Sequence, residues 1–380
     1  MERNNMVVFC WSSILYKLAG VFAGGKTKKL DTESFSDDVI IDILSRLPAD
    51  HVLECRRVCK RWLALTSTAS FAELQLKRAT PAIVAGFYDG NLQGFYVNDA
   101  LSPRQQIIEQ NCRLITSCDG LILGKRDSPS YDFIYNPITQ DEITIPGQLK
   151  AGYMCGLYFH PATKEYRMLY AFDQNHLFQY VIVSLPTYSR RTLYNQFYCR
   201  PANPEAVLVS GNLHWMVEHI KGRNRLKTQE DNDPCANSIL RFNIATENFD
   251  TMPHPECDSC PGPDCGSLQL FEVDGMISLC QRRSYSVHLW TCLDYPSWQW
   301  TRRYKFNLTH NLFSTRSLTD STDCLLWIQN DELLLYSKRK GLFLYNLKLH
   351  SIRGVRLAGW KKHQKYNFFP YTKSLVSLRK

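Results

Sequence analysis

Two stretches of the sequence carry residue types that could do chemistry. Gly20-Val21-Phe22-Ala23-Gly24-Gly25-Lys26-Thr27 has the spacing of a phosphate-cradling loop, in which Gly-rich backbone surrounds the phosphates, Lys26 reaches them and Thr27 binds magnesium. That chemistry needs a strand before the loop and a helix after it in a parallel α/β sheet. Here a polar linker follows, then a capped helix of another module, and no apolar strand ending in Asp lies nearby, so nucleotide binding is not expected. His254, Cys257, Cys260 and Cys265 form an H-x2-C-x2-C-x4-C cluster, a donor set that suits tetrahedral zinc. The four are crowded into twelve residues interrupted by prolines, and the competing reading is a flexible Cys-bearing loop. The expectation is no metal site, with this cluster as the candidate that would overturn it. Neither a hydrolase nucleophile elbow nor a paired-His zinc-protease motif occurs. His160, His214 and His288 sit inside strand-like runs, where a histidine is more often structural than catalytic. No catalytic residue and no cofactor is expected.

The elements around these residues change character near residue 80. Between Asp31 and Thr80 there is no Gly, no Tyr and a single proline, Pro48, whereas Gly, Pro and Tyr recur throughout the rest. The first stretch reads as helix and the second as strands and turns. Ser36 is placed to cap a helix whose first turn holds Asp37 and Asp38, where the helix dipole favours negative charge. Val39, Ile40, Ile43, Leu44 and Leu47 follow at helical spacing, and Pro48 ends the run. Asp50 is placed to cap a second helix carrying Cys55, Val58, Cys59, Trp62 and Leu65, with Arg56, Arg57, Lys60 and Arg61 opposite. Phe71, Leu74 and Leu76 close the module. A unit of about 50 residues buries little surface on its own. Its many large apolar residues pack either on the rest of the chain or into a partner by helix-in-groove docking.

From Pro81 onward, short apolar runs are broken by turn signals. Asp119-Gly120, Gly211-Asn212, Asp274-Gly275 and Asn330-Asp331 each precede an apolar run, as the turn of a hairpin precedes its return strand. A second element recurs as Tyr135-Asn136-Pro137-Ile138-Thr139, Phe159-His160-Pro161-Ala162-Thr163 and Phe242-Asn243-Ile244-Ala245-Thr246, with a degenerate copy at Tyr345-Asn346-Leu347-Lys348-Leu349. Its Asn and Thr side chains are suited to bonding the local backbone. Irregular repeats, each supplying several strands, suggest a β-propeller of roughly six to seven blades, with a large sandwich as the alternative. Lys221 to Pro234 and Pro253 to Gly266 read as long exposed loops.

Bulk properties narrow the class. The chain has 380 residues, 44% hydrophobic and 21% charged, which excludes a disordered protein and suits about two domains. The net charge of +9 is spread over short groups such as Lys26 to Lys29, Arg56 to Arg61 and Lys338 to Lys340, so nucleic-acid binding is not expected. Most of the 14 cysteines, including Cys155, Cys280 and Cys324, lie in apolar runs and read as small hydrophobes in a reducing compartment. Met6 to Tyr16 is uncharged and has a signal-peptide flavour, with Val21-Phe22-Ala23 as a cleavage site, but it is too short to span a bilayer. A soluble protein with no membrane partner is expected.

Two resemblances go further. Phe35-Ser36-Asp37-Asp38-Val39-Ile40-Ile41-Asp42-Ile43-Leu44-Ser45-Arg46-Leu47-Pro48 resembles the first half of an F-box and Val58-Cys59-Lys60-Arg61-Trp62 its second half, with Phe35-Ser36 standing where the family usually has Leu-Pro. Ser117-Cys118-Asp119-Gly120-Leu121 followed by Tyr135-Asn136-Pro137-Ile138-Thr139 resembles the plant F-box-associated domain, as do Val209 to Trp215 and Leu289-Trp290 through Trp300. The resemblance implies an α+β multidomain chain. Residues 1–30 are an extension, 31–80 a three-helix F-box and 81–380 a large all-β, kelch-like propeller domain. It implies docking on a Skp-family adaptor, and through it a cullin, by Phe35, Val39, Ile43, Leu44, Leu47, Pro48, Val58, Cys59 and Trp62. Leu47 and Pro48 are expected at the contact and Trp62 partly in the core. It further implies recruitment of a protein substrate by the β domain for ubiquitination elsewhere in the ligase, in the cytoplasm or nucleus. The alternatives are an F-box protein working outside a ligase and a carbohydrate-binding or enzymatic propeller.

Overall fold

Alternation of buried and exposed residues along Asp37–Leu44 makes the first helix, α1, two-faced: Ile40 and Leu44 are buried, and Val39 and Ile43 are exposed. In this computed structural model the described residues run from 35 to 378, with interruptions of which the longest are 96–104, 218–237, 256–266, 308–323 and 356–365. The described residues form four helices where three were expected: α1, α2 (Ala49–Cys55), α3 (Lys60–Thr66) and α4 (Ala69–Arg78). The second expected helix divides at Cys59. Its backbone is extended (φ −159°, ψ 163°), and its Sγ accepts the Trp62 amide and so caps α3. Thr68 caps α4 by accepting the Phe71 amide. Ser36 has the extended backbone of an N-cap but makes no side-chain cap bond, and Pro48 rather than Asp50 occupies the N-cap of α2.

Leu47, Ala49, Val52, Cys55, Trp62, Phe71 and Ala72 complete the core of this helical unit. Arg56 ties α2 to the end of α3 by donating to the Thr66 carbonyl at 2.6 Å. The unit comprises residues up to Pro81 together with Thr372–Ser377, so a segment expected in the β domain belongs with the helices.

The second unit is built of antiparallel sheets. Sheet I holds β2 (Asn91–Phe95), β3 (Gln105–Cys118), β4 (Leu121–Asp127), β5 (Ser130–Asn136) and β6 (Asp141–Ile145). Sheet II holds β7 (Tyr153–His160), β8 (Glu165–Gln174), β9 (Leu177–Ser184) and β10 (Arg190–Phe197). Sheet III holds β11 (Val207–Val209), β12 (Asn212–Met216), β13 (Ser238–Asn243) and β14 (Phe249–Pro253). Sheet IV holds β15 (Ser267–Val273), β16 (Met276–Arg282), β17 (Ser286–Asp294) and β18 (Gln299–Asn307). Sheet V holds β19 (Cys324–Gln329), β20 (Glu332–Ser337), β21 (Gly341–Asn346) and β22 (Ser351–Val355). The first strand, β1 (Pro81–Phe87), pairs with the last, β23 (Tyr366–Thr372). The architecture is the expected all-β propeller. Its described residues form five sheets of four or five strands and this two-stranded sixth, beside the roughly six to seven blades that length allowed.

Turn chemistry sets the strand register. Asp119-Gly120 and Asp274-Gly275 have positive φ at both residues, the condition for tight hairpin turns that match strand twist. The third turn is Ser210-Gly211 rather than Gly211-Asn212, because Asn212 already pairs with Val209, and Asn330-Asp331 lies outside the described residues. The recurring Asn motif is an Asx turn: the Asn136 side chain accepts the Ile138 amide, Asn243 accepts Ala245 and Thr246, and Asn346 accepts Lys348 and Leu349. In the histidine version, the Thr163 amide donates to His160 Nδ1 at 3.2 Å.

The cores lie between successive sheets. Cys155, Tyr158 and Leu169 of sheet II pack with Trp215, Leu240 and Phe242 of sheet III. Polar latches reinforce the same seams. Tyr166 donates to Asp119 at 3.1 Å, Arg167 pairs with Glu247, Arg241 lies over the Trp298 ring at 4.6 Å, and Ser117 donates to the Pro370 carbonyl. Within sheet I, Gly124 pairs with Phe133, and a Cβ added at Gly124 would sit 2.5 Å from the tip of that ring. The ring is buried and covered by the Arg126 guanidinium at 5.0 Å, so it has little freedom to retreat. Gly124→Ala is expected to cost about 1–3 kcal/mol, read as a fall in the urea midpoint of the β unit at unchanged m-value.

Candidate docking surface

The helical unit leaves several large apolar side chains partly exposed. Phe35 is 45% exposed, Val39 42%, Ile43 38% and Leu63, on α3, 47%. Val39 and Ile43, four apart, lie along one stripe of α1, and Phe35 precedes its N-cap. α1 packs on α3, which brings Leu63 onto the same two-helix element. The stripe is held in place by ion pairs at its borders. Arg61 of α3 donates to Asp37 at 2.8 Å and to the Phe35 carbonyl at 2.7 Å, tying the start of α1 to α3. Arg78 of α4 and Arg46 both reach Asp42, on the other side of α1, and their hydrogen bonds hold the Asp42 carboxyl below its usual pKa. Gln75 of α4 donates to the Leu47 carbonyl at 3.4 Å, just before the bend into α2. A small helical unit therefore presents an ordered apolar stripe to solvent, the arrangement by which a helix face enters a groove.

The residues expected at a docking contact divide accordingly. Phe35, Val39, Ile43 and Pro48 are exposed, and Val58 and Cys59 are half-buried, the latter engaged in its cap. Leu44 and Trp62 are buried, and so is Leu47 at 7% exposure, which places its side chain in the core rather than at the contact. Burial pushes the Cys55 thiol up to about 11, so it remains protonated as a small apolar group. Leu63 was not singled out from sequence; its signal is its position four residues after Cys59 and next to the inward-facing Trp62.

The other candidates resolve differently. Residues 20–27 and Cys257, Cys260 and Cys265 lie outside the described residues. His254 is buried, with Nδ1 2.9 Å from the Pro255 carbonyl, and among the described residues no group of three His, Cys, Asp or Glu could hold a metal. Among those residues no helix is long and apolar enough to cross a membrane. Cys155 and Cys280 are buried and are not joined in disulfides.

His214 has both ring nitrogens engaged, with the Val207 carbonyl at 3.0 Å and the Tyr295 hydroxyl at 2.6 Å, the pattern of a structural histidine. Burial drives its pKa from the ordinary 6.5 to about 4, so the folded state binds this proton less readily than the unfolded one. Stability it supports is complete above pH 6.5 and is lost as pH falls towards 4, by as much as roughly 3 kcal/mol. His214→Gln should flatten the decline of the β unit's unfolding free energy across that window, measured by urea titration at stepped pH.

The comparisons with known proteins agree with this division of the chain. The family model described as F-box domain matches residues 33–73, and the one described as F-box associated beta propeller domain matches residues 95–376. The F-box protein At3g07870 of Arabidopsis thaliana is 22% identical over 90% of both chains. The F-box/LRR-repeat protein At2g43260 of the same plant is 22% identical over 84% of this chain and 78% of its own length. A chain of the nidogen/laminin complex superposes at a TM-score of 0.46 and 11% identity over 77% of this chain and 99% of its own, a likeness too loose to bear on activity. With the propeller match spanning most of the sequence behind a helical unit that matches the F-box, the chain belongs to the F-box proteins that carry an F-box associated β-propeller domain.

Proposed function

We propose that this chain is a non-catalytic substrate adaptor of a Skp–cullin–F-box ubiquitin ligase. The observation that carries the reading is the exposed α1 stripe of Val39 and Ile43, with Phe35 just before it and Leu63 on α3 also exposed, all within the F-box match. An apolar stripe of this kind on a unit too small to waste it is suited to the groove of a Skp-family adaptor, which links the chain to a cullin. The propeller presents its inter-strand loops to a protein substrate, since loops on a rigid scaffold are where recognition residues concentrate. Ubiquitin transfer then occurs on other subunits, and the contribution of this chain is proximity and orientation. That role needs no cofactor, nucleic acid or membrane, and it places the protein in the cytoplasm or nucleus, where such ligases work. Reconstitution with a plant Skp adaptor, cullin, RING subunit and ubiquitin enzymes tests it. Ubiquitination of the chain itself or of a co-purified partner, dependent on the adaptor, is the expected result. A folded chain that stays out of the assembly would move the reading to an interaction protein working outside a ligase.

A further inference from the structure

The helical unit is not made from the N-terminal part of the chain alone. At the end of β23 the backbone leaves the sheet, and Thr372–Ser377 joins the helices. A local turn shapes this segment, with the Val376 amide donating to Ser374 Oγ at 3.3 Å. Ser374 is fully buried and Leu375 is 5% exposed, as complete a burial as the unit's own core leucines. Lys373 Nζ lies 3.2 Å from Asp50 Oδ2, with the two side chains only 20% and 30% exposed. Asp50 stands in the first turn of α2, beside Ala49 and Val52, both with no exposed surface. Burial pushes the Asp50 carboxyl up, but Lys373 and His51 outweigh it and leave it below its usual pKa, so this carboxyl is ionised at neutral pH.

α2 has seven residues, too few to persist without tertiary cover. The F-box match ends at residue 73, so the cover supplied by residues 372–377 comes from far outside it. We infer that Thr372–Ser377 is an integral fifth piece of the docking module, clamped to α2 by Lys373–Asp50 and anchored by the buried Ser374 and Leu375, and that adaptor docking therefore requires this C-terminal segment. The docking half of this inference rests on the proposed function; the structural half does not.

The test uses the full chain, a chain ending at Tyr371, and the charge-reversal set Lys373→Glu, Asp50→Lys and the two combined. Backbone hydrogen exchange is read over residues 37–78 and over sheets I–V, and affinity for a purified plant Skp adaptor is measured in parallel. Truncation should lower protection in α1 and α2 by about tenfold or more with the sheets unchanged, and should weaken adaptor binding in step. Each single reversal should lower helix protection by about three- to fivefold, and the double variant should recover most of the loss. Should the truncated chain fail to fold, the reversal set carries the test. Unchanged helix protection in the truncated or singly reversed chains would overturn the inference, as would a double variant no better than either single one. A native chain whose helices lose protection on truncation but which never binds the adaptor would count against the ligase reading and leave the clamp standing.

Discussion

Trp215→Ala is expected to cost the β unit about 4 kcal/mol, the largest single loss of any change considered. Trp215 is 1% exposed at the centre of the seam between sheets II and III, packed with Tyr158, Leu240 and Phe242. Its Nε1 donates to the Cys155 carbonyl at 2.9 Å, so removal opens a cavity of indole size and also strands a buried acceptor. Trp215→Phe refills part of the space but not the hydrogen bond, and should recover about half of the loss. Urea unfolding followed by tryptophan fluorescence measures both. A change in Trp215→Ala smaller than about 1 kcal/mol would mean that the seam does not hold sheets II and III together.

The second large effect concerns binding. Val39→Asp with Ile43→Asp should weaken adaptor binding by about a hundredfold or more, because two carboxylates would enter an apolar interface without partners. Val39 is 42% and Ile43 38% exposed in the free chain, so the unfolding free energy of the helical unit should move by only about 1 kcal/mol, part of it from the new like charges. Leu44→Ala is the contrasting control. Leu44 is 1% exposed, and its truncation should destabilise the unit by about 3 kcal/mol. It would then weaken docking only through unfolding. The pairing separates contact from core, which a change at Leu47 does not, since that side chain is buried.

Much of this was legible in the sequence for identifiable reasons. The propeller's turns announced themselves because Asp-Gly and Asn-x-x-Thr carry their own local hydrogen bonding and positive φ, independent of tertiary context. Asn136, Asn243 and Asn346 bond the backbone as their spacing implied. The break at Cys59 was not legible, because Cys55, Val58, Cys59, Trp62 and Leu65 keep helical spacing across it and a cysteine sulfur seldom caps a helix. The division of α1 into a buried Ile40–Leu44 side and an exposed Val39–Ile43 side could not be read from hydrophobicity, since all four are strongly apolar. Only the packing of the other helices decides which pair faces inward. The membership of Thr372–Ser377 in the helical unit was hidden for the plainest reason: nothing in a six-residue segment records a partner more than 300 residues away.

The central claim is that the α1 stripe is the surface that meets a Skp-family adaptor. Hydrogen exchange of the full chain, with and without a purified plant Skp adaptor, tests it most directly. The account predicts new protection centred on residues 35–43 and 58–63, with sheets I–V unchanged. Protection appearing only in the sheets, or an unaltered pattern under conditions where complex formation is confirmed, would contradict it.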